Sequence, residues 1–248
     1  MPTNTICGSG DPGVNLLLFT EADRLDANSI TVYDRRLQHL RQVHRASAGD
    51  TLRVGEIDGL MGEAEILTIG KEAAVLAVSL DQPPPPKLPL TLVLALPRPK
   101  MLRRILRNVA ELGVAELHLI NSYRVEKSYW QSPVLADATV REYLLQGLEQ
   151  SRDTRLPRVH YHRRFKPFVE DSLPAILAEK HALLAQPGEY PPCPRVTNGE
   201  CLLVIGPEGG FIPYEVTQLQ DAGCEAVSLG ARILRVENAV TSVLGRLF

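Results

Sequence analysis

Residues 202–211 read LLVIGPEGGF, and residues 227–238 read VSLGARILRVEN. In each, a short apolar run opens into a glycine-bearing loop and a helical pattern follows. The first helix starts near Pro213, a residue suited to a first helical turn, and the second starts from Asn238. Ligands of open α/β sheets sit in the crevice beyond the carboxyl ends of the strands. Both loops therefore fall where a ligand binds, and their glycines let backbone N–H and C=O groups approach it closely. Tight turns alone could account for one such loop; two at successive strand ends argue for a shared ligand.

The same alternation extends back along the chain. Apolar runs at 90–96, 115–120, 182–185, 201–205 and 226–229 alternate with helical patterns at 100–112, 137–150, 167–180, 213–222 and 238–247. This predicts an α/β domain over 90–248, a parallel sheet with helices on both faces. Upstream, Pro83-Pro84-Pro85-Pro86 and Pro89 favour extended polyproline II and can continue neither a helix nor a central strand. Residues 81–89 are read as a semi-rigid linker. Before it, runs at 15–19, 51–57, 63–68 and 73–80 read as strands, with turns at Gly49-Asp50 and Asp58-Gly59 and one helix over 34–45. Residues 15–80 thus make a small β-rich domain, for which a barrel is the natural closed form.

The chain has 248 residues, and 27 Lys+Arg against 29 Asp+Glu leave a net charge of −2. Hydrophobic residues at 44% and charged residues at 23% are ordinary for a globular protein and exclude wholesale disorder. No apolar run approaches the roughly 20 residues of a membrane-crossing helix. Met1 to Gly13 has neither the basic nor the apolar region of a signal peptide, so a cytoplasmic protein with no membrane partner is expected. The four cysteines, Cys7, Cys193, Cys201 and Cys224, form no C-x-x-C pair and have no nearby His at ligand spacing. No metal site is expected from them, and they read as buried, reduced thiols.

Two familiar cofactor cradles are missing. The loops lack G-x-x-x-x-G-K-[ST], and no G-x-G-x-x-G follows the first strand of a βαβ unit, which disfavours a P-loop or a dinucleotide site. Basic residues, by contrast, cluster. Helix 100–112 places Leu102, Ile105, Leu106 and Val109 on one face, leaving Lys100, Arg103, Arg104 and Arg107 off it, with Arg98 just upstream. Arg35, Arg36, Arg41 and Arg45 lie on the 34–45 pattern, and Arg152, Arg155, Arg158, Arg163, Arg164 and Lys166 follow helix 137–150. Any one cluster could be a solvated face. Three clusters in two domains point to a phosphate backbone, and so to RNA. Tyr143 and Trp130 read as core rather than as base-stacking platforms.

With both loops and the basic clusters in view, the chain resembles the ribosomal small-subunit methyltransferase E family of the SPOUT superfamily. IGPEGGF (205–211) and LGARILRVEN (229–238) look like its two C-terminal motifs. ALPRPK (95–100), ELGV (111–114), RVEKSYWQSP (124–133), LEQSRDTRLP (148–157) and RFKPFVED (164–171) are similar to its intervening segments. HLRQVHRASAGDTLRVG (39–55) resembles its PUA-like RNA-binding module. The resemblance spans about residues 15–248. It implies a trefoil-knotted SPOUT methyltransferase domain behind a PUA-like β-barrel, and a homodimer. It also implies S-adenosylmethionine as cofactor and methylation of uridine N3 in 16S ribosomal RNA, at U1498 of the decoding region, within the 30S subunit. The cofactor positions it implies are Ile205, Gly206, Gly210, Leu229, Gly230, Ile233 and Leu234. Arg232, Arg235 and Glu237 match its charged positions, and Glu149 and Arg152 its EQ-x-x-R segment.

The chain departs from that pattern in places. Residues 1–14 precede the usual family start and read as a frayed tail or cloning remnant. Asn238 stands where Thr is common, and is an equally good N-cap. Ala231 replaces a frequent Pro, and His44 replaces an apolar residue.

The chemistry the resemblance implies is modest. Deprotonating a uridine N3 about two units above neutrality costs about 2.7 kcal/mol, so the tasks are alignment and help with that proton. Arg232 or Arg235 is expected to stabilise the developing uridine oxygen anion, with Glu237 orienting that arginine or taking the proton. A carboxylate favourable to a helix dipole is the plainer account of Glu237. No metal is required. Two other classes stay open: a non-catalytic RNA-binding assembly factor, and a knotted methyltransferase acting on another RNA or on ribose 2′-OH.

Overall fold

The computed structural model describes residues 16–42, 46–195 and 199–248. Cys7, His44, Arg45 and the 1–14 segment lie outside the described residues. The chain divides into two compact units, one running to Pro85 and taking up Leu148–Arg155, the other comprising Pro86–Gly147 and Leu156–Phe248.

The first unit contains β1 (Leu17–Phe19), β2 (Arg24–Asp26), β3 (Ser29–Val32), α1 (Asp34–Gln42), β4 (Thr51–Glu56), β5 (Met61–Ile69) and β6 (Ala74–Gln82). They form one six-stranded sheet in the order β1-β4-β5-β6-β3-β2. Its core joins Phe19, Ile30, Val32, Leu37, Leu40, Val54, Ile66 and Leu76. β2 and β3 were not expected from the sequence. They are short, and the turn between them is made by Asp26, whose carboxylate accepts the Asn28 N–H and the Ser29 hydroxyl, each at 2.8 Å. Leu148–Arg155 is keyed into this unit: Thr154 donates its hydroxyl to the Gly59 carbonyl at 2.6 Å and accepts the Asp58 N–H at 2.8 Å. A Cβ on Gly55 would sit 2.5 Å from the Thr154 methyl, so only glycine fits there.

In the second unit β7 (Leu90–Ala95), β8 (Glu116–Ile120), β9 (Arg158–His162), β10 (His181–Ala185), β11 (Cys201–Ile205) and β12 (Glu225–Val227) form a wholly parallel sheet. The order is β12-β10-β11-β7-β8-β9. Every residue of β7 and of β11 is buried, as expected of central strands covered on both faces. α2 (Pro99–Glu111), α3 (Asp137–Ser151), α6 (Pro213–Asp221) and α7 (Val236–Leu247) match the helical patterns closely. The 167–180 pattern instead becomes α4 (Phe165–Pro167), a π-helical turn over Phe168–Ser172, and α5 (Leu173–Leu177). β9 reads RVHYH, without an apolar run, and escapes a search for apolar strands. α7 begins at Val236 with Arg235 as N-cap, so Asn238 lies in its first turn and does not cap it. Trp130 is core, 9% exposed, with its indole N–H on Asn121 at 2.8 Å. Among the described residues no helix is long and apolar enough to cross a membrane.

Candidate active site

Three neighbouring strands of the second unit, β12, β10 and β11, end at one open cleft. All seven positions singled out in the two glycine loops, Ile205, Gly206, Gly210, Leu229, Gly230, Ile233 and Leu234, line it. The sheet order explains this. β12 and β11 both flank β10, so the loops that follow them must open side by side.

The first loop is pinned from several directions. Gly210 adopts φ 71° and donates its N–H to the Pro207 carbonyl at 2.7 Å. Glu208 accepts the Arg98 backbone N–H at 3.0 Å, and Arg124 hydrogen-bonds the Gly209 carbonyl. Glu215, only 2% exposed, accepts the Ile212 N–H at 3.1 Å and so closes the first turn of α6. In the second loop, Gly230 holds φ 108°, a backbone state L side chains rarely adopt, and donates its N–H to the Ser228 hydroxyl at 3.1 Å. Ser228 in turn accepts the Cys193 N–H at its carbonyl, 2.8 Å away.

The end of β10 supplies a wall that the sequence reading missed. Ala185, Gln186 and Pro187 line the cleft, and the Gln186 amide oxygen is buried without a hydrogen-bond partner. This strand end also opens on the crevice beyond the sheet, but no glycine stands among Ala185, Gln186 and Pro187 to mark it. Such an acceptor beside an apolar wall suits a ligand that carries an amino group.

The charged candidates separate. Arg232 lines the cleft, while Arg235 is exposed and caps α7, outside the cleft wall. Glu237 is 8% exposed in the first turn of α7. Among the described residues no ion pair joins it to Arg232 or Arg235. Lys100, Arg103 and Arg104 are exposed on α2, off its buried stripe, with exposed Arg98 as N-cap. Arg152 is exposed just beyond α3 at φ 58°.

In the first unit the arginines of α1 are largely engaged. Arg35 pairs with Glu149 at 2.7 Å, and exposed Arg41 reaches the Lys71 carbonyl at 3.3 Å. Arg36 is 14% exposed in its side chain and bonds Asp23 at 2.8 Å, Asp34 at 3.0 Å and the Leu18 carbonyl at 3.2 Å. That guanidinium anchors its own unit and has little left for a phosphate. Asp23, buried, keeps its carboxyl below the ordinary value: burial pushes it up, but hydrogen bonds from Arg36 and the Thr20 N–H outweigh that. Cys193, Cys201 and Cys224 are free, buried thiols, the latter two pushed up to about 11 by burial.

The family model of the RNA methyltransferase domain matches residues 84–247, which gives this sheet and cleft their class. The ribosomal RNA small subunit methyltransferase E of Treponema pallidum is 30% identical over 238 residues, covering 91% of this chain and 87% of that protein. The Synechocystis protein of the same name is 28% identical over 231 residues, covering 88% and 72%. Among solved structures, the same enzyme from Neisseria gonorrhoeae, bound to S-adenosyl methionine, superposes with a TM-score of 0.73 at 22% identity, over 92% of this chain and 95% of that one. The chain belongs to the ribosomal RNA small subunit methyltransferase E family.

Proposed function

We propose that this protein transfers the methyl group of S-adenosylmethionine to N3 of a uridine in 16S ribosomal RNA, at U1498 of the decoding region. The observation that carries the reading is the convergence of both glycine loops on a single cleft at adjacent strand ends. Ile205, Leu229, Leu234 and Val236 give it apolar walls, and Gly206 and Gly230 line it with backbone that carries no side chain. The unpaired Gln186 oxygen is a partner for an amino group of the cofactor.

When bound, the cofactor supplies a methyl carbon made electrophilic by its sulfonium. The uridine N3 lone pair forms the new N–C bond, the S–C bond breaks and leaves a neutral thioether, and the N3 proton passes to a base. The protein's share is to hold the nucleobase in line and to stabilise the negative oxygen of the deprotonated ring. Arg232, at the cleft, and Arg235, at the mouth of α7, are the candidates for that stabilisation, worth about 3–4 kcal/mol. Glu237 is the candidate proton acceptor.

The finer architecture goes with this reading: a trefoil knot in the second unit, a PUA-like barrel in the first, and a homodimer working in the cytoplasm on the 30S subunit. Exposed Arg98, Lys100, Arg103, Arg104 and Arg152 are the phosphate contacts. The test is methyl transfer from labelled S-adenosylmethionine to 30S subunits from a strain lacking its own enzyme of this family. Appearance of 3-methyluridine in 16S RNA supports the reading. Cofactor binding without transfer points to another RNA, and absence of cofactor binding favours an assembly factor.

A further inference from the structure

The opposite edge of the parallel sheet carries a cluster that the methyl-transfer chemistry does not use. β8 and β9 pair with Glu116 opposite Arg158, His118 opposite His160 and Ile120 opposite His162. Alternation along the strands therefore puts Glu116, His118, His160 and His162 on one face. The His118 and His160 rings stack with centroids 4.4 Å apart and planes 15° apart. His118 Nδ1 meets His162 Nε2 at 3.0 Å, and the His162 ring rests on Phe168.

This packing leaves a local deficit. His118 is 5% exposed, and the Nε2 atoms of both His118 and His160 are buried with no hydrogen-bond partner. Two unpaired ring nitrogens side by side are costly to leave without a partner. Glu116 Oε2 lies 3.9 Å from His118 Nε2. One ligand atom from each of Glu116, His118 and His160 falls within 4.8 Å of the other two.

We propose that Glu116, His118 and His160 form a binding site for a divalent transition-metal cation, with zinc as the reference ion, through the two Nε2 atoms and one carboxylate oxygen. Two imidazoles and a carboxylate are a ligand set that borderline cations accept, with a fourth position left for water. The contact from His118 Nδ1 to His162 is the outer-shell hydrogen bond that metal-bound imidazoles make, and with the proton on Nδ1 it leaves Nε2 as the bare lone pair. Metal–ligand bonds of about 2.0–2.2 Å in a tetrahedron place ligand atoms roughly 3.4 Å apart, so no pair needs to close by more than about 1.4 Å. Glu116, with a side chain 27% exposed, and His160, on edge strand β9, can make that movement around a fixed His118.

Two cations face the site and set its strength. Arg158, 75% exposed, holds the other Glu116 oxygen at 3.0 Å. Lys180, whose Nζ donates to Thr91 Oγ1 at 2.9 Å, acts electrostatically on His118. Neither occupies a ligand atom of the trio, but both repel a metal ion. Affinity in the micromolar range is the expectation.

The experiment is a titration of the full chain with Co²⁺ followed by absorption, and with Zn²⁺ by calorimetry, alongside Glu116→Gln and His160→Gln. His160 makes no hydrogen bond through Nε2, so His160→Gln is expected to fold normally, checked by circular dichroism and by unchanged metal-free melting. The expected result is one equivalent of saturable binding, cobalt bands without thiolate charge transfer, and affinity lowered about tenfold or more in each variant. Absence of saturable binding overturns the proposal. So does binding that both variants retain in full, or a thiolate charge-transfer band placing the metal on the cysteines.

Discussion

The carboxylate of Glu215 accepts the backbone N–H of Tyr123 at 2.7 Å, across 92 positions of sequence, while its other oxygen takes the N–H of Ile212. One buried side chain thus fixes both the start of α6 and the loop after β8. Glu215→Ala leaves two donors without partners, and its expected cost is about 2–4 kcal/mol. Glu215→Gln keeps an acceptor and is expected to recover part of it. Urea unfolding of the two variants checks the order. Equal stability of all three proteins would remove Glu215 from this role.

Gly230 holds φ 108°, and a methyl group placed on its Cα would meet nothing within 4 Å. A side chain there therefore encounters backbone strain rather than a neighbour. Gly230→Ala is expected to reshape the loop at a cost of about 1–3 kcal/mol. The effect should fall on the cofactor: affinity for S-adenosylmethionine drops about tenfold or more by calorimetry, since about 1.4 kcal/mol is a factor of ten.

Arg232 and Arg235 are three residues apart and differently placed, and their variants should differ in kind. Arg235→Ala is expected to cut single-turnover methyl transfer by about 100-fold or more while cofactor affinity is kept. Arg232→Ala, at the cleft wall, should weaken cofactor binding as well. Unchanged turnover in Arg235→Ala excludes it from transition-state stabilisation.

The Asp23–Arg36 pair makes an acid-dependent contribution to the first unit. The folded-state value of Asp23 lies below the ordinary 3.8, so the stabilisation is complete above 3.8 and is lost as pH falls through the lower folded value. Asp23→Asn should cost about 3 kcal/mol at neutral pH, the order of a broken buried pair. Its deficit against the native chain should shrink as denaturation is repeated below pH 3.8.

The strand–loop–helix order was legible because β7, β8, β10 and β11 are apolar runs and the helices carry a clear stripe. The two glycine loops followed from one rule about strand ends, while the seven positions within them came from the resemblance to the methyltransferase family. What stayed hidden had no such marker. β9 is made of Arg, Val, His and Tyr; Gln186 adjoins no glycine; and the partners of Arg36 sit 13 and 2 positions away, where no helix or strand period would pair them. The cap of α7 fell to Arg235 because backbone geometry, not side-chain preference, decided where the helix began.

Leu148–Arg155 belongs to the first unit although more than sixty residues of the second precede it. During synthesis the N-terminal unit therefore cannot reach its final form when its own strands have emerged. It waits for Thr154 to leave the ribosome and reach Asp58 and Gly59, by which time β7, β8 and all of α3 have been made. The usual order, in which an amino-terminal domain folds before its successor is translated, is replaced by an interlaced one. A fragment cut after the proline run is born without the piece that completes it.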